Sequence, residues 1–137
     1  MLINRATHRS IGFSLIELLV VIVVLVILSS LLIPQITRVK EGAQDSIARQ
    51  QQVELQTALG NWIAAKSSEP GGLAGARAAY TGTKLALLQN YLQAATYASL
   101  SGSGDTVTSA ALSGANAHLE FSAWPSGGQP TVNWVNQ

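Results

Sequence analysis

The sequence predicts an α+β protein. One long N-terminal helix, apolar in its first half and amphipathic in its second, packs under a small head with a short helix and an antiparallel sheet of two or three strands. Three observations carry this. Leu18–Leu28 contains no polar side chain, and only Ser29 and Ser30 interrupt the run before Pro34. Apolar residues then recur every third or fourth position as far as Trp62. Past a cluster of breakers, the C-terminal stretch alternates apolar with polar.

The apolar run comes first. At about 1.5 Å per residue, Phe13–Ile33 covers about 30 Å, the thickness of a bilayer's hydrocarbon core. A membrane-spanning helix over 13–34 follows. A conventional secretory signal has a shorter apolar region and a small-residue exit, whereas this run leaves through Leu31-Leu32-Ile33-Pro34. Residues 1–12 are short, polar and basic, and read as a leader that is removed. Arg5 and Arg9 in that leader favour keeping this end in the cytoplasm, so the remainder faces outward.

Helical spacing continues over 35–66. Ile36, Val39, Ala43, Ile47, Leu55, Leu59 and Trp62 form a stripe, with Gln51 filling its gap. Lys40, Glu41, Asp45, Arg49, Gln52 and Lys66 form the polar face. Gly42 and Gly60 each weaken the helix by about 1 kcal/mol relative to alanine. The stripe resumes directly after Pro34, so the proline is expected to kink one continuous helix rather than end it. Ser67-Ser68-Glu69-Pro70-Gly71-Gly72 then stops it, near Ala65. Such a rod is on the order of 80 Å long, half in lipid and half under the head.

Residues 67–137 form the head. Lys84–Ala95 looks helical, with Leu85, Leu88 and Leu92 on one face, and Tyr80-Thr81-Gly82-Thr83 precedes it as a turn. Ser101-Gly102-Ser103-Gly104-Asp105 reads as a flexible loop. Thr106-Val107-Thr108 is a short strand. Ala117–Trp124 is another, with Leu119, Phe121 and Ala123 facing one way and His118 the other. A turn over 125–130 leads into a last strand, Thr131–Val135. Trp62, Trp124 and Trp134 are the expected aromatic core, stacked where the hairpin meets the helix.

Charge and composition exclude much. Arg5 and Arg9 lie in the leader, and the other six basic residues face seven acids, so the processed chain is close to neutral. Its bases are scattered among acids, which does not make a nucleic-acid surface. There is no cysteine, so packing, a metal or neighbouring subunits must hold the head.

One residue stands out within the apolar run. The Glu17 carboxylate would cost about 2.5–3.5 kcal/mol at the centre of a membrane helix, less near an end, and calls for a partner. Cleavage between Gly12 and Phe13 would supply one as a new α-amino group. The stretch GFSLIELLVVIVVLVILSSLLIP resembles the N-terminal signature of type IV pilins and of the pseudopilins of type II secretion. That resemblance implies a membrane aspartyl protease, the prepilin peptidase, cutting after Gly12 and methylating Phe13. It also implies that Glu17 pairs with the Phe13 amine of a neighbouring subunit during assembly. The expected product is a homo-oligomeric helical filament, raised from the inner membrane by an assembly platform and an ATPase motor. The head would lie outside the cytoplasm and end in a periplasmic or cell-surface filament.

This chain departs from the family in three ways. Val23–Leu28 has no glycine, no cysteine pair closes a C-terminal loop, and the aspartate-rich calcium loop of many major pseudopilins is absent. Asp105 and Glu120 stand apart, so neither a metal nor another cofactor is expected. No enzyme motif is present either. There is no G-x-S-x-G, no H-E-x-x-H and no phosphate loop, and the two histidines are His8 in the leader and His118. The alternative function is a single-span, membrane-anchored periplasmic binding module that never polymerises.

Overall fold

The computed structural model describes Gly12 and residues 14–137, with the backbone alone at 32–35. Residues 1–11, which belong to the expected leader 1–12, and Phe13 lie outside the described residues. The chain divides into two compact units, one ending at Arg38 and the other spanning Val39–Gln137.

Helix α1 runs from Leu15 to Ser67, with helical backbone assigned through Pro34 and to within two residues of the expected end. Three short helices follow: α2 (Gly72–Ala79), α3 (Lys84–Leu87) and α4 (Ala94–Ser99). Then come β1 (Leu100–Ser103), β2 (Thr106–Ser109), α5 (Ala110–Gly114), β3 (Ala117–Phe121) and β4 (Val132–Asn136). The four strands form one antiparallel sheet in chain order, β1-β2-β3-β4. The fold is therefore the expected α+β, pilin-like arrangement, with a fuller sheet and more helical turns.

The sheet exceeds the expected two or three strands because 101–105 is not a flexible loop. Ser101, Gly102 and Ser103 pair with Thr108, Val107 and Thr106, and Gly104-Asp105 closes a two-residue turn. Gly104 has φ 59°, which suits the first central position of a type II′ hairpin. Gly102 is needed for space: a Cβ there would meet the Leu85 Cβ at 2.7 Å. A linker-like composition hides a strand selected for close packing.

The expected helix over 84–95 is broken. It stops at Leu87, passes through turns, and restarts at Ala94 after an extended Gln93 (φ −63°, ψ 142°). A regular helix would align Leu85, Leu88 and Leu92. The observed path buries Leu85 and Leu88, half-buries Leu92, and delivers Leu100 to the core as the first residue of β1. Packing wins over local propensity here.

The core is the contact of one helix face with one sheet face. Ala48, Leu55, Ala58, Leu59, Trp62 and Ile63 meet Val107, Leu119, Phe121 and Val132. Ala117, Leu119 and Phe121 alternate inward, as the period of a strand requires. Ala123 does not continue the pattern; β3 ends at Phe121 and Ala123 is exposed.

The helix stripe is also corrected. Burial begins at Ala48, whereas Ile36, Val39, Ala43 and Ile47 are exposed. Gln52 is not simply a polar-face residue. Its amide donates to the Val132 carbonyl at 3.1 Å, and the Val132 N–H donates to Gln56 Oε1 at 2.7 Å. Two glutamines one helical turn apart thus satisfy the N–H and carbonyl of Val132, the first residue of edge strand β4, as a further strand would.

Gly102→Ala should lower head stability by about 1–3 kcal/mol through overlap with Leu85, whereas Ser103→Ala should be near neutral. Thermal unfolding of the purified protein compares them directly.

Candidate functional site

The candidate site is the start of α1. The Ser14 carbonyl accepts from the Glu17 N–H at 3.0 Å and the Leu18 N–H at 3.1 Å, closing the first turn. Glu17 therefore sits in the first turn of α1, where the helix dipole favours a negative charge. Its side chain is exposed and has neither a hydrogen bond nor an ion pair among the described residues. Gly12 is exposed, outside the helix, and a Cβ there would meet nothing within 4 Å. Phe13, the expected new N-terminus, is outside the described residues, so the geometry of a Phe13–Glu17 pair is too.

Behind Glu17 the helix is apolar and uncovered. Leu15 is 83% exposed and Leu31 62%, with the Leu, Ile and Val side chains between them exposed as well. Its most apolar 18-residue window has a mean hydropathy of 3.2 and is 0% buried. Apart from Glu17, the two polar side chains in the run are silenced by their own backbone. Ser29 Oγ donates to the Leu25 carbonyl and Ser30 Oγ to the Ile27 carbonyl, each at 2.7 Å. A helix that satisfies its own polar groups can lie in hydrocarbon. Glu17 is the one ionisable side chain of this run, and it has no partner among the described residues.

The head's polar groups are arranged differently, around a lysine. Lys84 Nζ lies 3.2 Å from Asp105 Oδ1, 3.2 Å from the Gly82 carbonyl and 4.6 Å from the Tyr80 ring centroid. Tyr80 itself donates to the Ser122 carbonyl at 3.2 Å and packs between Trp62 and Trp124, with centroids 6.0 and 5.5 Å away. Burial, and then the nearby Asp105 charge, pushes the Tyr80 hydroxyl up to about 12. Asp105 is thus engaged by a cation from its own chain. Among the described residues, no group of three or more His, Asp or Glu side chains converges.

Sequence reasoning named both Asp105 and Tyr80 but did not see the lysine between them. Of the expected aromatic core, Trp62 is buried while Trp124 and Trp134 are half-buried against it. Arg49 lies over Trp134 at 5.0 Å and pairs with Asp45. His118 faces away from the core, as expected, but its Nδ1 is enclosed and without a hydrogen bond. Nothing pairs it with an acid or a nucleophile.

Residues 7–33 match the model of the prokaryotic N-terminal methylation motif. No curated protein and no solved structure matches the chain. The chain therefore carries a class III signal on a long helix with an α+β head, consistent with a type IV pilin-like precursor. The match begins within the basic N-terminal segment, spans Gly12, Phe13 and Glu17, and ends with the apolar run, before Pro34. Such a signal implies processing by a prepilin peptidase and assembly at a membrane, and pilin-like proteins are generally not enzymes.

Two outcomes follow. Membranes washed with high salt and then urea should retain the protein in the pellet; release would contradict a spanning helix. The second concerns pH. The folded Tyr80 value lies above the ordinary value near 10, so its contribution is complete below about pH 10. It is lost as pH rises toward about 12. The melting temperature should fall over that window, and Tyr80→Phe should flatten the fall.

Proposed function

We propose that this chain is a structural subunit of a type IV pilus-like or type II secretion filament. It is cut between Gly12 and Phe13, methylated at Phe13, and stored in the inner membrane through the apolar half of α1 with the head outside the cytoplasm. An assembly platform then extracts it, and copies polymerise through their N-terminal helices. Glu17 pairs with the Phe13 amine of the neighbouring subunit, so two charges that lipid penalises singly are brought in together. Pro34 is the point where the helix bends to suit the bundle. The head performs no catalysis.

The observation that carries this reading is the sequence of events at one helix start. A match to the methylation motif is followed at once by an uncovered apolar helix bearing one unpartnered carboxylate. A bare anchor needs the apolar run but neither the glycine exit nor the glutamate. The exposed Val39, Ala43 and Ile47, continuing the apolar surface onto the second half of α1, also suit a helix that packs on others.

Glu17→Leu separates the steps. Leader removal should proceed as in the unaltered protein, while filament yield falls below detection by electron microscopy. Filaments of normal abundance from that variant would rule out the carboxylate's part in assembly.

A further inference from the structure

Among the described residues, the head neutralises most of its charges internally. Arg49 pairs with Asp45, Lys66 with Glu69 and Lys84 with Asp105. Glu54 accepts hydrogen bonds from Gln50 and Thr96. Lys40 and Glu41, adjacent on α1, point in different directions and form no ion pair with one another. Of the described charged side chains left outside these ion pairs, Arg77 on α2 and Glu120 on β3 are the two that lie off α1, and they are opposite in sign. Both are exposed, and neither side chain has an ion pair or hydrogen bond among the described residues.

Their surroundings differ in kind. Leu73 and Arg77 are one helical turn apart and share a face of α2, where Leu73 is 51% exposed. Beside them lies a shallow depression of about 200 Å³ whose walls include Trp124 and Pro125. A guanidinium among a leucine, a tryptophan and a proline has the composition of a protein contact. Glu120 instead stands on the sheet face turned away from α1. The strand register places Ser103, Thr106, Glu120 and Asn133 in one row across the sheet, exposed at Ser103, Glu120 and Asn133. That row is flat and polar, with one negative charge.

We propose that the Leu73–Arg77 face of α2 docks onto the Glu120 row of the sheet in a second copy of this chain, with Arg77 donating to the Glu120 carboxylate. The inference rests on the filament reading above. A head-to-tail polymer joins two different surfaces of the same chain, and these two are opposite in charge and each unpaired within one copy. A guanidinium can bind a carboxylate through two parallel hydrogen bonds, so the pair sets orientation as well as attraction. Its main effect is to choose the register of neighbouring heads rather than to supply the bulk of the affinity.

Charge exchange in the full-length chain, produced in cells that hold the assembly machinery, tests it. Arg77→Glu and Glu120→Arg should each lower sedimented filament yield about tenfold, and the double exchange should recover it to within about threefold. The absence of native cysteine allows a second arm. An arginine–glutamate pair holds its backbones further apart than a disulfide spans. A short bis-maleimide on an Arg77→Cys/Glu120→Cys chain should therefore give a ladder of covalent multimers in filaments and none after disassembly. The ladder decides where a charge variant misfolds or is not recovered: its presence in filaments supports the contact. Normal filaments with no ladder overturn the docking alone. If the unaltered chain forms no filaments, the filament reading falls and this contact with it.

Discussion

An apolar helix with nothing to cover it is the constraint on which the rest depends. Each Leu, Ile or Val side chain left in water forgoes about 1.5–3 kcal/mol of burial. Over Leu15–Leu31 the sum far exceeds the roughly 5–15 kcal/mol by which a domain is stable. The head cannot offset that. Burial on α1 begins at Ala48, and the head's own core is occupied by its sheet and its short helices. The first half of α1 must therefore lie in lipid or against other apolar helices. Ser29 and Ser30, bonded to their own backbone, offer no obstacle to either. Glu17 does, and a lone carboxylate in that setting marks the place where a second charged group is required.

The second half of α1 answers to a different requirement. It is the one long element in the head and presents a single face to the sheet, so the strands align on it. Leu55, Leu59 and Trp62 supply the apolar contact. Gln52 and Gln56 supply what an edge strand lacks, holding both polar backbone groups of Val132. The Lys84 ammonium, beneath the Tyr80 ring and against Asp105, ties the start of α3 to the β1–β2 turn. A head without cysteine is closed by these polar ties as well as by its core.

Sequence reading reached the long helix, the α+β class and the start of α1 because each is written in local composition. An unbroken apolar run, a three-to-four spacing and a dense breaker cluster need no tertiary information. It lost Leu100–Ser103 for the opposite reason. Ser-Gly-Ser-Gly is a linker by composition, and becomes a strand only because Thr106–Ser109 pairs with it and Leu85 needs the space at Gly102. It overextended the stripe because Ile36, Val39, Ala43 and Ile47 have the spacing of core residues, yet all four are exposed. It joined 84–95 into one helix because Leu85, Leu88 and Leu92 share a period that the chain gives up to bring Leu100 into β1. The Lys84 contacts join residues far apart in sequence, and no spacing announces them. At the proposed site, Gly12, Phe13 and Glu17 were named from local sequence alone, and Phe13 lies outside the described residues.

In the proposed function, leader removal is the step on which every later one depends, and an intact mass with N-terminal sequencing of the protein from its native membrane measures it. A chain that begins at an N-methylated Phe13 is the result this account predicts. A chain that keeps its first twelve residues in cells possessing the peptidase, or one cut near Ser30 or Pro34, would contradict it, and the role given to Glu17 would fall at the same time.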